Sequence, residues 1–404
     1  MEKHNLLKPL TPISTLDITD ADGIELYTSD GKTYYDLNEI STVLGQKNEH
    51  FAKRLSSCLY HVTSMKSGKS PDKEKFYRYL SDTTDHKFQY LHLTSSGSEA
   101  SEWAVRMALN MTGRSEVLSF WNSIHGRTYL SASMSGMERR KQGYAPSAPG
   151  TLYGVYPDCA HCPFEKECNN CDFFCLKFLD QKMKYESSQE IGAVIIESYQ
   201  GSGIVVPPKG WLKALETWAH RHGALFIFDE IQSGMGRTGQ MYTFQEEGLD
   251  PDMLLLGKAL GNGIHVGAVL TKEAPAEYYR AALAGGAGDT ELTYAAGCAV
   301  FEELLENGML NHIKEISDYM KSSFSKLKER YNQIVHVECK GLASCIEIDS
   351  DSCFDTIQAY MKSAGLLAGF LPNRKIIFRP PYAVEKRHID LITYTIENAL
   401  SSCL

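Results

Sequence analysis

The chain has 404 residues, of which 43% are hydrophobic and 23% charged, a balance typical of a globular protein with a large core. Its formal net charge of −9 is spread along the sequence without a basic block, which argues against nucleic acid as a partner. No apolar run approaches the roughly 20 residues of a membrane span, and residues 1–10 lack a signal-peptide core. We therefore expect a cytoplasmic protein whose cysteines are mostly reduced.

Strand-like and helix-like patterns alternate through the middle of the chain, which predicts an α/β fold with a mostly parallel sheet and crossover helices. An amphipathic helix is predicted to end near Gly223, where glycine stops the helical spacing. Four short apolar runs predict buried strands. They are residues 116–121, 193–197, 224–229 and 253–256.

The pattern changes after about residue 300, where strand-like pieces at 334–337 and 344–348 are followed by helical spacing towards the C-terminus. This end is interpreted as a smaller α+β domain that the N-terminal segment completes. The predicted division is residues 1–50 (small domain), 51–300 (large domain) and 301–404 (small domain).

A run of small residues from Ser95 to Ser98 leads into a helical pattern. Such a turn presents free backbone N–H groups and the positive end of a helix dipole, so it can bind a phosphate or another anion. An ordinary serine N-cap explains the same residues equally well.

Asp229 ends the apolar run FIFD, where a buried strand meets a loop and where ligands commonly bind in open α/β sheets. A buried carboxylate needs a cationic partner or hydrogen-bond donors, and a protonated pyridinium nitrogen would be such a partner. A structural acid bonded to loop amides is the alternative.

Lys258 follows another apolar run and has glycines at 257, 261 and 263. A lysine in such surroundings can have a lowered pKa and act as a Schiff-base nucleophile, whereas an isolated lysine is more often an exposed loop residue. Together, a phosphate cradle, a strand-end Asp and a Gly-flanked Lys supply what a pyridoxal 5′-phosphate site needs.

The long segment DEIQSGMGRTGQMYTFQEEGLDPDMLLLGKALGNG, supported by SSGSEASE, IHGRT and FRPPY, resembles the class III aminotransferases of fold type I. The resemblance runs from about Gly23 to the C-terminus. It implies a large domain that binds pyridoxal phosphate, and a small domain formed by both ends of the chain. It also implies that Lys258 carries the cofactor and moves the substrate Cα proton, while Asp229 pairs with the pyridine nitrogen.

Further cofactor contacts follow from the same resemblance. Gln232 would hydrogen-bond the phenolic oxygen, and Ser96, Gly97 and Ser98 would hold the phosphate. Thr290 matches a threonine that reaches the phosphate from the partner subunit, which implies a homodimer with active sites at the interface.

Three residues are implied in substrate binding. Arg127 resembles an arginine that holds a distal carboxylate, and Arg379 resembles one that binds the α-carboxylate. Glu197 resembles a glutamate that neutralises the second arginine when a substrate lacks that carboxylate. A surface arginine beside a Pro-Pro turn is the alternative for Arg379.

The sequence departs from the family pattern near the cofactor. The residue before His125 is usually aromatic and stacks on the ring, but here it is Ile124. Ser198 follows Glu197 where proline is usual, and the segment after Thr290 lacks the common Asn-Pro. These differences bear most on substrate identity.

Five cysteines fall between residues 159 and 175, with two CxxC pairs whose spacing suits zinc or an iron–sulfur cluster. A loop of buried thiols without metal is the preferred interpretation, and a metal site is the alternative. The cysteines are Cys159, Cys162, Cys168, Cys171 and Cys175.

The leading hypothesis is a ping-pong amino-group transfer between an amino donor and a carbonyl acceptor, with glutamate and 2-oxoglutarate as one pair of partners. The alternative is an aminomutase, a racemase or a decarboxylase on the same scaffold, since the cofactor carries the difficult chemistry. A non-catalytic binding protein that kept the fold is a further rival, against which Lys258, Asp229 and Gln232 argue.

Overall fold

A computed structural model describes residues 16–61, 68–143, 147–283 and 288–403. The described residues form strands and helices that are numbered here in chain order. The strands are β1 (Ile18–Asp22), β2 (Glu25–Thr28), β3 (Thr33–Asp36), β4 (Tyr90–Thr94), β5 (Glu116–Phe120), β6 (Thr151–Gly154), β7 (Ile191–Glu197), β8 (Leu225–Asp229), β9 (Met253–Gly257), β10 (Gly267–Thr271), β11 (Ile334–Lys340), β12 (Ala343–Ile348), β13 (Leu366–Leu367), β14 (Gly369–Phe370) and β15 (Lys375–Phe378). The helices are α1 (Glu49–Leu59), α2 (Pro71–Thr83), α3 (Gly97–Thr112), α4 (Tyr129–Ser133), α5 (Phe174–Glu186), α6 (Trp211–Arg221), α7 (Thr243–Glu246), α8 (Glu277–Leu283), α9 (Glu291–Leu305), α10 (Met309–Arg330), α11 (Asp351–Ser363) and α12 (Lys386–Ser402).

The large sheet has seven strands in the order β4-β10-β9-β8-β7-β5-β6. All neighbours pair in parallel except β10, which is antiparallel to both β4 and β9. Every residue of β7, β9 and β10 is buried, because helices cover both faces of the sheet. Alternate residues of one strand therefore belong to different core clusters, as Ile195 and Ile196 do.

Helix α3 crosses one face of this sheet and packs on β7 to β10. Its small residues Ala100, Ala104 and Ala108 are fully buried, which brings the helix axis close to the strands. Ser96 caps its N-terminus, and Gly113 ends it with a left-handed φ of 66°. The helix therefore starts at a fixed point beside the end of β4.

Two smaller sheets are built from the ends of the chain. The first has the order β1-β2-β3-β13 and the second β11-β12-β15-β14. The short strand β13 pairs in parallel with β3, so the C-terminal part of the chain completes the N-terminal sheet. Helices α10, α11 and α12 pack against one another beside these strands.

The predicted fold class is confirmed: the protein is α/β with a mostly parallel central sheet and additional sheets from both ends of the chain. The predicted runs at 193–197, 224–229 and 253–256 coincide with β7, β8 and β9 to within two residues. The predicted domain boundaries at residues 50 and 300 stay predictions.

Candidate active site

Three neighbouring parallel strands end at the same edge of the large sheet. Strand β7 ends with Glu197, β8 ends with Asp229, and β9 ends with Gly257, directly before Lys258. Because Glu197 pairs in register with Asp229, the two carboxylates are adjacent on the sheet. The topology thus brings together side chains that lie up to 61 residues apart in sequence.

The N-terminus of α3 lies at this edge as well. Ser96 Oγ accepts from Glu99 N at 3.2 Å, while the Glu99 carboxylate accepts from Ser95 N at 2.8 Å. The first-turn N–H groups of Gly97 and Ser98 have no acceptor within their own helix. A methyl group on Gly97 would lie 2.8 Å from Ile231 Cγ2, so the close packing requires glycine. This end of α3 can bind an anion.

Asp229 is buried and is held by two donors. His125 Nδ1 lies 2.7 Å from Asp229 Oδ2, and Ile231 N donates to Oδ1 at 3.0 Å. Because the carboxylate is the acceptor, His125 Nδ1 carries a proton and donates it to this hydrogen bond. His125 N in turn donates to Ser135 Oγ at 3.1 Å, which fixes the position of the histidine.

Lys258 begins a short 3₁₀ helix, Lys258–Gly261, with a left-handed φ of 42°. Burial lowers the pKa of its ammonium group, although the neighbouring carboxylates Asp229 and Glu197 act in the opposite direction. The positive charges of Arg379 and Arg127 add to the lowering. A lysine with this property has more of the neutral, nucleophilic amine at neutral pH.

Gln232 stands beside the loop that follows β7. Tyr199 OH lies 3.4 Å from Gln232 Oε1, and a methyl group on Gly201 would lie 2.5 Å from Gln232 Nε2. The side chain is therefore confined between Tyr199 and Gly201. Tyr199 is buried two residues beyond Glu197, and no sequence pattern marked it as a site residue.

Glu197 is engaged by backbone donors. Its Oε2 accepts from Ile124 N at 3.1 Å, and its Oε1 accepts from Gly201 N at 3.2 Å. Burial, together with the charge of Asp229, raises its pKa to about 7, even though the His125 side chain and these two hydrogen bonds act to lower it. The partners seen are thus amides, whereas the resemblance implies a pairing with Arg379.

Arg379 follows β15 and is bonded to neutral oxygens. Its Nε donates to Asn38 Oδ1 at 2.9 Å and its Nη1 to Gly201 O at 3.0 Å. Gly201 therefore contacts both Glu197, through its N–H, and Arg379, through its C=O. Asn38 lies 341 residues away in sequence, and no local pattern identified it.

Arg127 and Thr290 occupy more peripheral positions. Arg127 is exposed, and its backbone N–H donates to Ser98 Oγ at 3.1 Å, which places it beside the N-terminus of α3. Thr290 caps α9 by accepting from Thr293 N at 3.1 Å. The implied contact of Thr290 with a partner subunit involves a second chain and stays a prediction.

These residues fit pyridoxal phosphate. The Asp229 carboxylate is buried at the edge of the sheet, so a pyridinium nitrogen would give it a cationic partner. Lys258 offers an amine of lowered pKa to an aldehyde, and the first turn of α3 offers N–H groups to a phosphate. The chemistry of the donor set therefore matches the three reactive parts of the cofactor.

The cysteine-rich segment lines a small cavity. The expectation of buried thiols is wrong, because Cys159 is exposed and the other four cysteines of the segment are only half-buried. Burial and hydrogen bonding to Cys168 raise the pKa of the Cys159 thiol, and Cys171 and Cys175 add to the effect, so these four sulfurs are neighbours. None of the eleven cysteines is in a disulfide. Within residues 16–61, 68–143, 147–283 and 288–403, no three His, Cys, Asp or Glu side chains are placed to hold a metal ion.

No helix in the part of the chain that the structure describes is long and apolar enough to cross a membrane.

Comparisons with known proteins identify the family of this chain. A family model described as aminotransferase class-III matches residues 9–400. An acetylornithine aminotransferase from Bacillus anthracis is 29% identical over 402 residues, covering 96% of this chain and 95% of that protein. A leucine/methionine racemase from Thermococcus litoralis is 30% identical over 321 residues, covering 76% and 72%.

The fold matches solved structures as well. The taurine:2-oxoglutarate aminotransferase of Bifidobacterium kashiwanohense superposes with a TM-score of 0.87 at 24% identity, covering 99% of this chain and 95% of that one. At this identity the match supports the fold alone. Because the family model spans nearly the whole chain, the protein belongs to the class III aminotransferases and is a pyridoxal-phosphate-dependent transaminase of fold type I.

Proposed function

We propose that the enzyme uses L-glutamate and 2-oxoglutarate as one pair of amino donor and acceptor. The observation that carries this proposal is the guanidinium of Arg379, which is bonded to the neutral oxygens of Asn38 and Gly201 and so retains its full charge for a carboxylate. Exposed Arg127 offers a second positive charge for the distal carboxylate of such a substrate. The structurally similar taurine:2-oxoglutarate aminotransferase supports the choice of acceptor.

Each group of site residues would contact a different part of the cofactor. Ser96, Gly97 and Ser98 would hold the phosphate group, Asp229 would bind the ring nitrogen, and Gln232 would donate to the phenolic oxygen. Pyridoxal phosphate, when bound, supplies an aldehyde that captures the amino group and a ring that delocalises the charge left on Cα. Ile124 would contact the ring through an aliphatic side chain.

Lys258 and His125 would control the protons. Lys258 Nζ, with its lowered pKa, would take the proton from substrate Cα and return it during product formation. His125 Nδ1 donates to Asp229, and this hydrogen bond keeps the carboxylate oriented towards the site. Both tasks need side chains that are fixed before the substrate arrives.

A homodimer is proposed because Thr290 resembles a residue that completes the partner subunit's site. Exposed apolar side chains on α1 and α2 support an interface: Leu59 and Tyr77 are 59% and 40% exposed. A cytoplasmic location is supported by the eleven free thiols.

A single half-reaction tests the proposed function. Cofactor-loaded enzyme mixed with L-glutamate and no acceptor should convert the aldehyde form of the cofactor to its amine form, which absorbance follows. Lys258→Ala should slow this conversion at least about 100-fold, because it removes the base. Lys272→Ala is the matched control, since Lys272 bonds Asp250 beyond the far end of β10 and should leave the rate unchanged.

The racemase relative favours one alternative outcome. If glutamate or another amino acid loses its optical activity while the cofactor never accumulates in the amine form, racemisation replaces transfer between glutamate and 2-oxoglutarate as the activity at this site.

A further inference from the structure

Asn38 determines how Arg379 is presented. The amide oxygen of Asn38 accepts from Arg379 Nε, and Gly201 O accepts from Nη1. Among the described residues, Arg379 Nη2 has no acceptor. Since the two acceptors are neutral, they orient the planar guanidinium without reducing its charge, and one edge of the group stays available.

Asn38 is itself held in place from several directions. Its N–H donates to Asp36 Oδ1 at 3.0 Å, immediately after β3. A methyl group on Gly369 would lie 3.1 Å from Asn38 Nδ2, so the glycine in β14 leaves room for the amide. Arg379 N donates to Leu37 O at 2.7 Å, which ties the two segments together through the backbone. Backbone hydrogen bonds just beyond the ends of β3 and β15 therefore support the contact between the two side chains.

Glu197 is not placed to neutralise Arg379. Its two carboxylate oxygens accept from Ile124 N and Gly201 N, and no ion pair joins Glu197 to Arg379 in the described part of the chain. Pairing the two would require Glu197 to give up its hydrogen bonds to the two backbone amides. Breaking these bonds would leave the two amides without an acceptor, so the observed hydrogen bonds hold Glu197 apart from Arg379.

We propose that Asn38 is the positioning residue that restricts both half-reactions to substrates with a carboxylate next to the reacting carbon. The second substrate pair is then an α-amino acid and its 2-oxo acid, rather than a terminal amine and an aldehyde. This inference rests on the proposed transfer function and goes beyond it by naming the substrate class and the residue that selects it.

The decisive variants are Asn38→Asp and Asn38→Leu, with glutarate as the probe. Glutarate has two carboxylates but no amino or oxo group, so it binds the cofactor-loaded enzyme without reacting, and calorimetry gives its Kd. Asn38→Asp keeps the size and the acceptor but places a negative charge beside Arg379. We expect it to weaken glutarate binding at least about 10-fold, and Asn38→Leu to weaken it less.

A purely structural role for Asn38 makes the opposite prediction. Asp preserves the hydrogen bond to Nε, so Asn38→Asp would bind glutarate like the wild type and Asn38→Leu would be worse. That order of affinities would overturn the inference. Asn373→Asp, which adds the same charge at an exposed position, is the matched control and should leave the Kd unchanged.

Kinetics supply a second test, which begins with the wild-type enzyme. The wild-type half-reaction with 1-butylamine, which lacks a carboxylate, should be at least about 100-fold slower than with L-glutamate. In Asn38→Asp the KM for glutamate should rise while kcat changes little. The rate with L-glutamate should then exceed the rate with 1-butylamine by a smaller factor than in the wild type. Equal rates for both donors in the wild type would overturn this inference but leave transamination intact. Absence of any reaction with glutamate would overturn the proposed function instead.

Discussion

At the scale of single residues, the site is governed by carboxyl groups whose surroundings differ. Asp229 and Glu230 are consecutive and buried, yet Asp229 faces the site while Glu230 accepts from Thr243 N and Phe244 N at the start of α7. The alternation of a strand end separates their roles. Asp229 was singled out from the sequence because it ends an apolar run, whereas the partner of Glu230 could not be inferred from that run.

Glu197 should make the stability of the cofactor-free protein depend on pH. Its pKa is raised from 4.5 to about 7 in the folded chain. The folded state therefore holds a proton that the unfolded state has lost between these pH values. The stabilisation that this bound proton gives the folded state is fully present below about pH 4.5 and is lost as the pH rises to 7.

Glu197→Gln removes this titration. The free energy of unfolding of the variant, minus that of the wild type, should increase by on the order of 3 kcal/mol from pH 5 to pH 8. Urea unfolding at the two pH values measures this change. The exposed Glu138→Gln is the control. A difference between Glu197→Gln and the wild type that stays constant with pH would contradict the raised pKa.

At the scale of elements, the start of α3 is where helix and sheet meet most closely. Gly97→Ala would place a methyl group 2.8 Å from Ile231 Cγ2, so the helix end or Ile231 must move. We expect a loss of about 1–3 kcal/mol in stability and a clearly weaker affinity for pyridoxal phosphate, measured by titration of the cofactor-free protein.

Gly203→Ala provides the comparison for this prediction. A methyl group there meets nothing nearer than Val205 Cγ2 at 3.9 Å. Gly203→Ala should leave the stability and the affinity for pyridoxal phosphate nearly unchanged. If Gly97→Ala bound the cofactor as tightly as Gly203→Ala, the N-terminus of α3 would not be the phosphate site.

Strands β7, β8 and β9 of the central sheet could be predicted because each is a short apolar run that ends at a glycine or an acid. The direction of β10 could not, since Gly267–Thr271 shows no feature that distinguishes an antiparallel strand from a parallel one. The short strands β13 and β14 have two residues each and leave no periodic pattern to detect.

At the scale of the whole molecule, Arg237 links segments that are far apart in sequence. This arginine is 1% exposed, and its guanidinium donates to Leu342 O, Pro380 O and Glu39 O. It also lies 4.8 Å from the ring centre of Tyr382. The residue thus joins the N-terminal segment, the turn between β11 and β12, and the FRPPY segment that contains Arg379.

Arg237→Lys should disturb both stability and substrate binding. A lysine keeps the charge but cannot reach three carbonyl groups at once, so we expect a loss of about 2–4 kcal/mol in urea unfolding. The KM for glutamate should rise more than kcat falls, because Arg379 is adjacent to Pro380. Arg374→Lys, directly before β15 and with a side chain that is 39% exposed, should change both the stability and the KM far less.

The contact between Asn38 and Arg379 marks the limit of prediction from this sequence. Lys258, Asp229 and the start of α3 lie on continuous local patterns, so their sequence neighbours identify them. The orientation of Arg379 depends instead on a residue 341 positions away, brought close by the pairing of β13 with β3. Only the folded chain reveals such a partner.

The strand order of the central sheet fixes the distances between the residues at its edge. Neighbouring strands are about 4.8 Å apart, so the ends of β7, β8 and β9 are spaced at nearly equal steps, while β4 lies two steps from β9 because β10 separates them. Backbone hydrogen bonds fix these intervals, and no side-chain substitution can change them. The loops at residues 37–43 and 198–203 are not constrained in this way. Substrate preference can therefore diverge among related enzymes by changes in those loops, while the spacing of Glu197, Asp229 and Lys258 stays constant.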